Sequence, residues 1–202
     1  NGGTLTDEVF DIVTETKAYV PDANIGIHCH NDIGLAVANS LAAIHAGARH
    51  VQGTLHGLGE RCGNADLITL IPTLMLKLGF ATSIPKEKLP KLVSLSRMVD
   101  DRLNLVPNPH APYVGSAAFA HKGGLHASAA QKDPRTYEHI SPETVGNERS
   151  FVISDQTGRS NVIARFSEVG IEIPADDIKI EKLIRDIKDK EFNGWSFDSA
   201  EA

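Results

Sequence analysis

Two histidines, His28 and His30, stand two residues apart in the run Ile27-His28-Cys29-His30-Asn31-Asp32-Ile33-Gly34. The run reads as the end of a buried strand, on which successive side chains alternate faces. His28 and His30 then share one face, and Cys29 points to the other. Two convergent neutral imidazoles beside an Asn and an Asp suit a first-row divalent cation with open coordination positions. Histidines also sit on strands as hydrogen-bonded structural residues, so the His-x-His spacing alone leaves both readings open. Asp32 carries the same ambiguity: it can orient a ligand histidine or hold its own loop.

A second group is Gly53-Thr54-Leu55-His56-Gly57-Leu58-Gly59-Glu60-Arg61-Cys62-Gly63-Asn64. It follows an expected strand and precedes an expected helix. Gly57, Gly59 and Gly63 allow a ligand to approach the backbone closely, and the helix N-terminus favours negative charge there. The loop could cradle a phosphate-bearing ligand or turn Asn64 towards a metal. It could equally be a tight structural loop closed by a Glu60–Arg61 pair. His56 lies near the presumed pocket and is a candidate for substrate contact.

The third group is His121-Lys122-Gly123-Gly124-Leu125-His126, with Tyr137 eleven residues past His126 in Asp133-Pro134-Arg135-Thr136-Tyr137. An imidazole and a phenol can pass protons between them if they converge. On one continuous helix they would stand about 16 Å apart. Pro134 disfavours that helix and allows the chain to fold Tyr137 back; the alternative is a Tyr137 that caps a core.

The elements that would position these residues are read from periodicity. Val9, Phe10, Ile12 and Val13 have helical spacing, with Thr6 or Thr4 as cap. A strand is expected from Ile25 to His30, a helix over about 35–46 stopped by Gly47, a strand over 50–55, and a helix over about 65–78 stopped by Gly79. Helices alternating with strands at this spacing mark an α/β protein with a parallel sheet and crossover helices. Beyond a linker at Ile84-Pro85-Lys86, another helix contains Leu89, Leu92, Val93, Ser96 and Val99, with Pro90 in its first turn. A strand over 116–121 and an amphipathic helix carrying Ile180, Leu183, Ile184 and Ile187 on one face complete the pattern. No internal repeat or low-complexity tract is present.

At 202 residues, with a net charge of −6, the chain has no clustered Lys and Arg of the kind nucleic acid or an anionic membrane surface requires. No apolar stretch reaches membrane-spanning length and no signal-peptide pattern opens it. Two cysteines, Cys29 and Cys62, cannot build a disulfide framework, which points to a reducing cytoplasm. Cys29 is expected to pack behind the sheet. His45, His50, His110 and His139 lack companions and read as structural, as does Arg159. The opening at Asn1 and the ending after Trp195 and Phe197 suggest a fragment of a longer protein. A closed eight-stranded barrel takes about 250 residues, so this chain cannot contain one; it could be the last part of one, with an appended helical region.

The run His28-Cys29-His30-Asn31-Asp32-Ile33-Gly34-Leu35-Ala36 resembles the signature of the 2-isopropylmalate, homocitrate and citramalate synthases. Gly57-x-Gly59-Glu60-Arg61-x-Gly63-Asn64 and Gly124-Leu125-His126 match the same family in the same order. Residues 133–140, Val145-Gly146-Asn147-Glu148-Arg149, Thr157-Gly158-Arg159-Ser160-Asn161, and the end through Trp195 and Phe197 resemble its longer citramalate-forming branch.

The resemblance implies the C-terminal part of a TIM-type (β/α) barrel over residues 1–130 and a mostly helical linker subdomain over 131–202. It implies a metal-dependent acyltransferase that condenses acetyl-CoA with a 2-oxo acid, pyruvate in that branch and other 2-oxo acids in its siblings. Metal-dependent lyases of the hydroxymethylglutaryl-CoA type are the alternative. His28 and His30 would be ligands to zinc, manganese, magnesium or cobalt, with Asn64 nearby. Gly57, Gly59, Glu60, Arg61 and Gly63 would line the substrate or CoA site. His126 and Tyr137 would do acid–base work, reaching the partner subunit's site in a homodimer. The family's third protein ligand, an Asp beside an Arg in the first barrel strand, has no counterpart in this sequence. The chain by itself is therefore expected to be inactive.

Overall fold

The computed structural model describes residues 2–154, 156–174, 176–195 and 197. The chain divides into two compact units, one of residues 1–107 and 112–114 and one of residues 108–111 and 115–202. The boundary expected at 130/131 falls inside a helix of the second unit. The end of the linker region, at Ser196 and 198–202, lies outside the described residues.

In the first unit α1 (Thr6–Tyr19) leads to β1 (Gly26–His28), α2 (Ala36–His45) and β2 (His50–Gln52). β1 and β2 pair in parallel, with Gly26 opposite His50, Ile27 opposite Val51 and His28 opposite Gln52. α2 is the crossover between them, as a parallel pair requires. Val9 and Val13 of α1 pack with Ala43 and Ala48 over Ile25 and Ile27. Small alanines on α2 let that helix lie close to its neighbours. Phe10 and Ile12, expected on the same apolar face, are exposed. The cap also differs from expectation: Leu5 occupies the N-cap, and its N–H donates to the Glu8 carboxylate at 2.7 Å. Thr6 instead donates to Asn39 Oδ1 on α2.

β1 is shorter than expected and is not buried on both faces: Gly26 and His28 are exposed, and Cys29 just beyond it is buried. With one neighbouring strand and helices on one side, only one face has anything to pack against. Downstream, α3 (Leu67–Pro72) is capped by Asp66, whose carboxylate accepts from the Ile68 N–H at 2.9 Å. It continues as a π-helical turn, Thr73–Lys77, before Gly79 turns the chain at φ 69°. Pro72 lacks an N–H for the α-helical ladder, which accounts for the changed winding. A 3-10 turn (Lys86–Lys91) then leads into α4 (Leu92–Leu103), with Pro90 in the turn rather than in the helix.

In the second unit β3 (Ala120–His121) pairs in parallel with β4 (Ser150–Phe151). α5 (Gly124–Lys132), α6 (Arg159–Glu168) and α7 (Ile178–Phe192) complete it. The strand expected over 116–121 shrinks to two residues because the preceding segment turns back on itself, with Ala117 N–H bonded to the Pro109 carbonyl at 2.8 Å. Ile180 and Ile187 of α7 are buried. Val145, Ile153, Val162 and Ala164 are buried apolar residues of the same unit.

Candidate functional site

His30 and Asn64 face one another across an isolated antiparallel bridge just past the C-terminal end of β1. The bridge is held from both sides: Asn31 N–H bonds the Gly63 carbonyl at 2.9 Å, and Ala65 N–H bonds the Cys29 carbonyl at 3.0 Å. His28, one face-repeat away, sets its ring edge-on to His30, with centroids 5.0 Å apart and planes at 89°. The strand alternation thus brings the two imidazoles together on one face, and Cys29 packs behind with Ala36 and Ala65. Burial pushes the Cys29 thiol above its ordinary value, with a partial offset from Ser40. Cys62, in the loop, is exposed.

His30 Nδ1 and Asn64 Oδ1 are buried and have no hydrogen-bond partner among the described residues. Buried polar atoms left this way are costly unless something outside the polypeptide satisfies them. A nitrogen and an amide oxygen on opposed residues, beside a second imidazole, are a donor set that fits a divalent cation. Among the described residues no group of three or more His, Cys, Asp or Glu side chains could hold a metal. The donors at this bridge are two imidazoles and an amide.

The loop carrying Asn64 is built close to its limits. Gly63 sits at φ 92°, and a Cβ on it would collide with the Gly57 carbonyl oxygen. A Cβ on Gly59 would lie 2.5 Å from Asn64 Nδ2. The glycines therefore serve internal contacts around Asn64, whatever else they offer to a ligand. Arg61, at φ 56°, does not pair with Glu60; its Nε lies 3.1 Å from both oxygens of Asp32. That pairing uses Asp32 and raises the Arg61 guanidinium above its ordinary value, with the hydrogen bond as the main cause. Glu60 and Arg61 are both exposed.

His56, a candidate for substrate contact, has its ring turned towards α4. Both ring nitrogens are engaged, Nε2 with Ser96 Oγ at 2.8 Å and Nδ1 with Asp100 Oδ1 at 3.2 Å. Ser96 and Asp100 stand four apart on α4, a same-face spacing visible in the sequence. Nothing local identified His56, forty residues away, as their partner.

In the second unit Asp133 caps a 3-10 turn, Pro134–Thr136, which reverses the chain after α5. Tyr137 consequently returns to His126, with ring centroids 4.4 Å apart and planes at 34°. Both residues are exposed, Tyr137 by 44%. The next residue, Glu138, points inward. Its carboxylate accepts from Arg149 Nη2 at 2.6 Å and Nε, and lies 3.1 Å from His121 Nε2. Arg149 first, and His121 after it, hold the Glu138 carboxyl below the usual carboxylate range against the opposing effect of burial. His139 stacks on Phe119 at 5.7 Å. With two anchored residues behind it, Tyr137 is presented on a fixed pedestal. The cluster of His121, Glu138 and Arg149 was not legible in the sequence, where His121 lay only in a motif and the acid and base are eleven residues apart.

Residues 2–99 match the HMGL-like family, and residues 113–193 match the homocitrate synthase post-HMGL domain-like family. Proteins named (R)-citramalate synthase align with the whole chain: 52% identical in Aquifex aeolicus, 50% in Sulfolobus acidocaldarius and 48% in Synechocystis. The chain spans 38% of the length of each of these relatives.

Proposed function

Since the chain belongs to the family of the citramalate, 2-isopropylmalate and homocitrate synthases, we propose that it forms part of an acyltransferase that condenses acetyl-CoA with pyruvate to give citramalate. The observation that carries the reading is the opposed pair of unpartnered buried atoms, His30 Nδ1 and Asn64 Oδ1. It lies in a chain that aligns end to end with (R)-citramalate synthases. In this reading the site lies just past the C-terminal end of β1, on the face where (β/α) barrels carry their chemistry. In this reading the first part of the chain, to about residue 130, supplies the last strands and helices of such a barrel. The remainder is a helical linker region.

His28, His30 and Asn64 would hold a divalent cation, which when bound supplies Lewis-acid polarisation of the 2-oxo carbonyl. Asn64 keeps its oxygen for that purpose because its Nδ2 is committed to the Leu58 carbonyl at 3.1 Å. Gly57, Gly59, Glu60, Arg61 and Gly63 would line the approach for the acid or for CoA, with Arg61 offering a cation to its negative charge. His126 and Tyr137 form the proton-handling pair: the imidazole takes or returns a proton, and Tyr137 Oη, beside it, steadies the oxygen that changes charge. In a homodimer acting in the cytoplasm, this pair would serve the metal site of the partner subunit.

The test is thiol release from acetyl-CoA by the full-length protein carrying this chain, with a divalent metal and with pyruvate, 2-oxoisovalerate or 2-oxoglutarate in parallel. Release with pyruvate alone is expected. Preference for another acid overturns the substrate, and no release with any acid overturns the reaction. In the same assay His126→Ala should abolish turnover while metal binding survives.

A further inference from the structure

His56 holds a left-handed backbone, φ 56°, that a residue with a side chain rarely adopts. Its imidazole is fixed at both ends by α4, through Ser96 and Asp100, each only 6% exposed. A carboxylate can only accept, so Nδ1 donates to Asp100, and in the neutral ring Nε2 accepts from the Ser96 hydroxyl. The Ser–His–Asp order looks like that of a nucleophilic triad. Ser96, however, lies inside α4 with its hydroxyl buried, and the backbone N–H groups around it are committed to the helix.

The two residues after His56 give the arrangement its use. The Gly57 carbonyl accepts from the Asn64 N–H at 2.8 Å. The Leu58 carbonyl accepts from Asn64 Nδ2 at 3.1 Å and from Thr54 Oγ1 at 2.6 Å. The two carbonyls immediately after the strained residue therefore hold both nitrogens of Asn64. Its side-chain oxygen is the atom left over, buried across the bridge from His30.

We propose that His56, Ser96 and Asp100 form a clamp by which α4 fixes the glycine-rich loop and thereby orients Asn64 towards His30. His56 is a positioning residue that touches neither substrate nor metal. The clamp rests on the two bonds to the imidazole and the two carbonyls that hold Asn64; only its purpose rests on the metal-site reading.

The experiment uses the full 202-residue chain and two variants. His56→Gly keeps a residue at ease in the left-handed region but removes the ring. The double variant Ser96→Ala, Asp100→Ala leaves the loop sequence untouched and replaces both anchors with the best helix former. NMR-detected hydrogen exchange of the Asn64 amide should accelerate about tenfold or more in both. Exchange of the Ala48 amide, bonded to Ala43 elsewhere in the unit, should stay unchanged. In the full-length protein carrying this chain, Mn2+ should bind about tenfold more weakly to each variant, the lower end of what loss of a ligand-orienting contact costs. An unchanged Asn64 exchange rate in the double variant overturns the clamp. Accelerated exchange with an Mn2+ affinity left unchanged in the full-length protein supports the clamp and overturns its purpose at a metal site.

Discussion

The two units place their candidate site residues by different means. In the first, Asn64 and His30 are set by main-chain hydrogen bonds and by glycines that tolerate contacts no side chain would. In the second, Tyr137 is set by its neighbour Glu138, buried between Arg149 and His121. A backbone-built site is rigid at every step but unforgiving of added atoms. A site built on a buried ion cluster accepts backbone variation but depends on charge. Each part of this contrast can be broken separately.

The largest effect is expected at Gly63. Gly63→Ala adds left-handed strain and a collision with the Gly57 carbonyl, together about 4 kcal/mol. Urea denaturation followed by exchange of the Ala48 amide should show the first unit destabilised, and Mn2+ binding should be lost. A Gly63→Ala chain as stable as the original would show that the loop is softer than its geometry indicates.

Glu138→Ala comes next. Removing this member of a buried ion group costs about 3 kcal/mol, near the low end of such losses, because Arg149 is partly exposed and can rehydrate. The only tryptophan, Trp195, belongs to the second unit, so its fluorescence reports the change. The pH dependence has a definite sign. The folded-state value of Glu138 lies below its ordinary 4.5, so its contribution is present above that value and is lost as pH falls through the lower folded value. Glu143, lowered by its bond from Ser141, adds in the same direction. Glu138→Gln should flatten most of this acid limb while leaving the part due to Glu143. An unaltered acid limb would remove Glu138 from the account.

The smallest effect on stability is expected from Arg61→Ala. Its ion pair with Asp32 is largely exposed and screened by solvent, so its loss should leave the urea midpoint nearly unchanged. That smallness makes the variant useful: a marked loss of CoA affinity, measured by calorimetry, would then come from a ligand contact and not from a disturbed loop. Unchanged CoA affinity would take Arg61 out of the binding site.

Much of this was legible from local pattern. The pairing of His28 with His30 on one face follows from the two-residue repeat of a strand. Gly47 and Gly79 stop their elements as their types predict, and Pro134 indeed ends a helix and turns Tyr137 back. Other features were misread for physical reasons. The single-sided packing that leaves His28 exposed depends on which neighbours the strand has, and its own composition does not state that. The pairing of Arg61 with Asp32 instead of Glu60 depends on a left-handed turn at Arg61 that no propensity announces.

The sequence by itself determined the element types, the family and the residues of chemical interest, because periodicity, turn chemistry and motif spacing act between near neighbours. Only the tertiary structure decided that Asn64 opposes His30, that His56 belongs to Ser96 and Asp100, and that Glu138 draws in Arg149 and His121. Those pairings join residues 11 to 44 positions apart. The last two are selected by the cost of leaving buried polar atoms unpaired, a cost that exists only once the chain has closed around them, and the first is set by main-chain hydrogen bonds across the bridge.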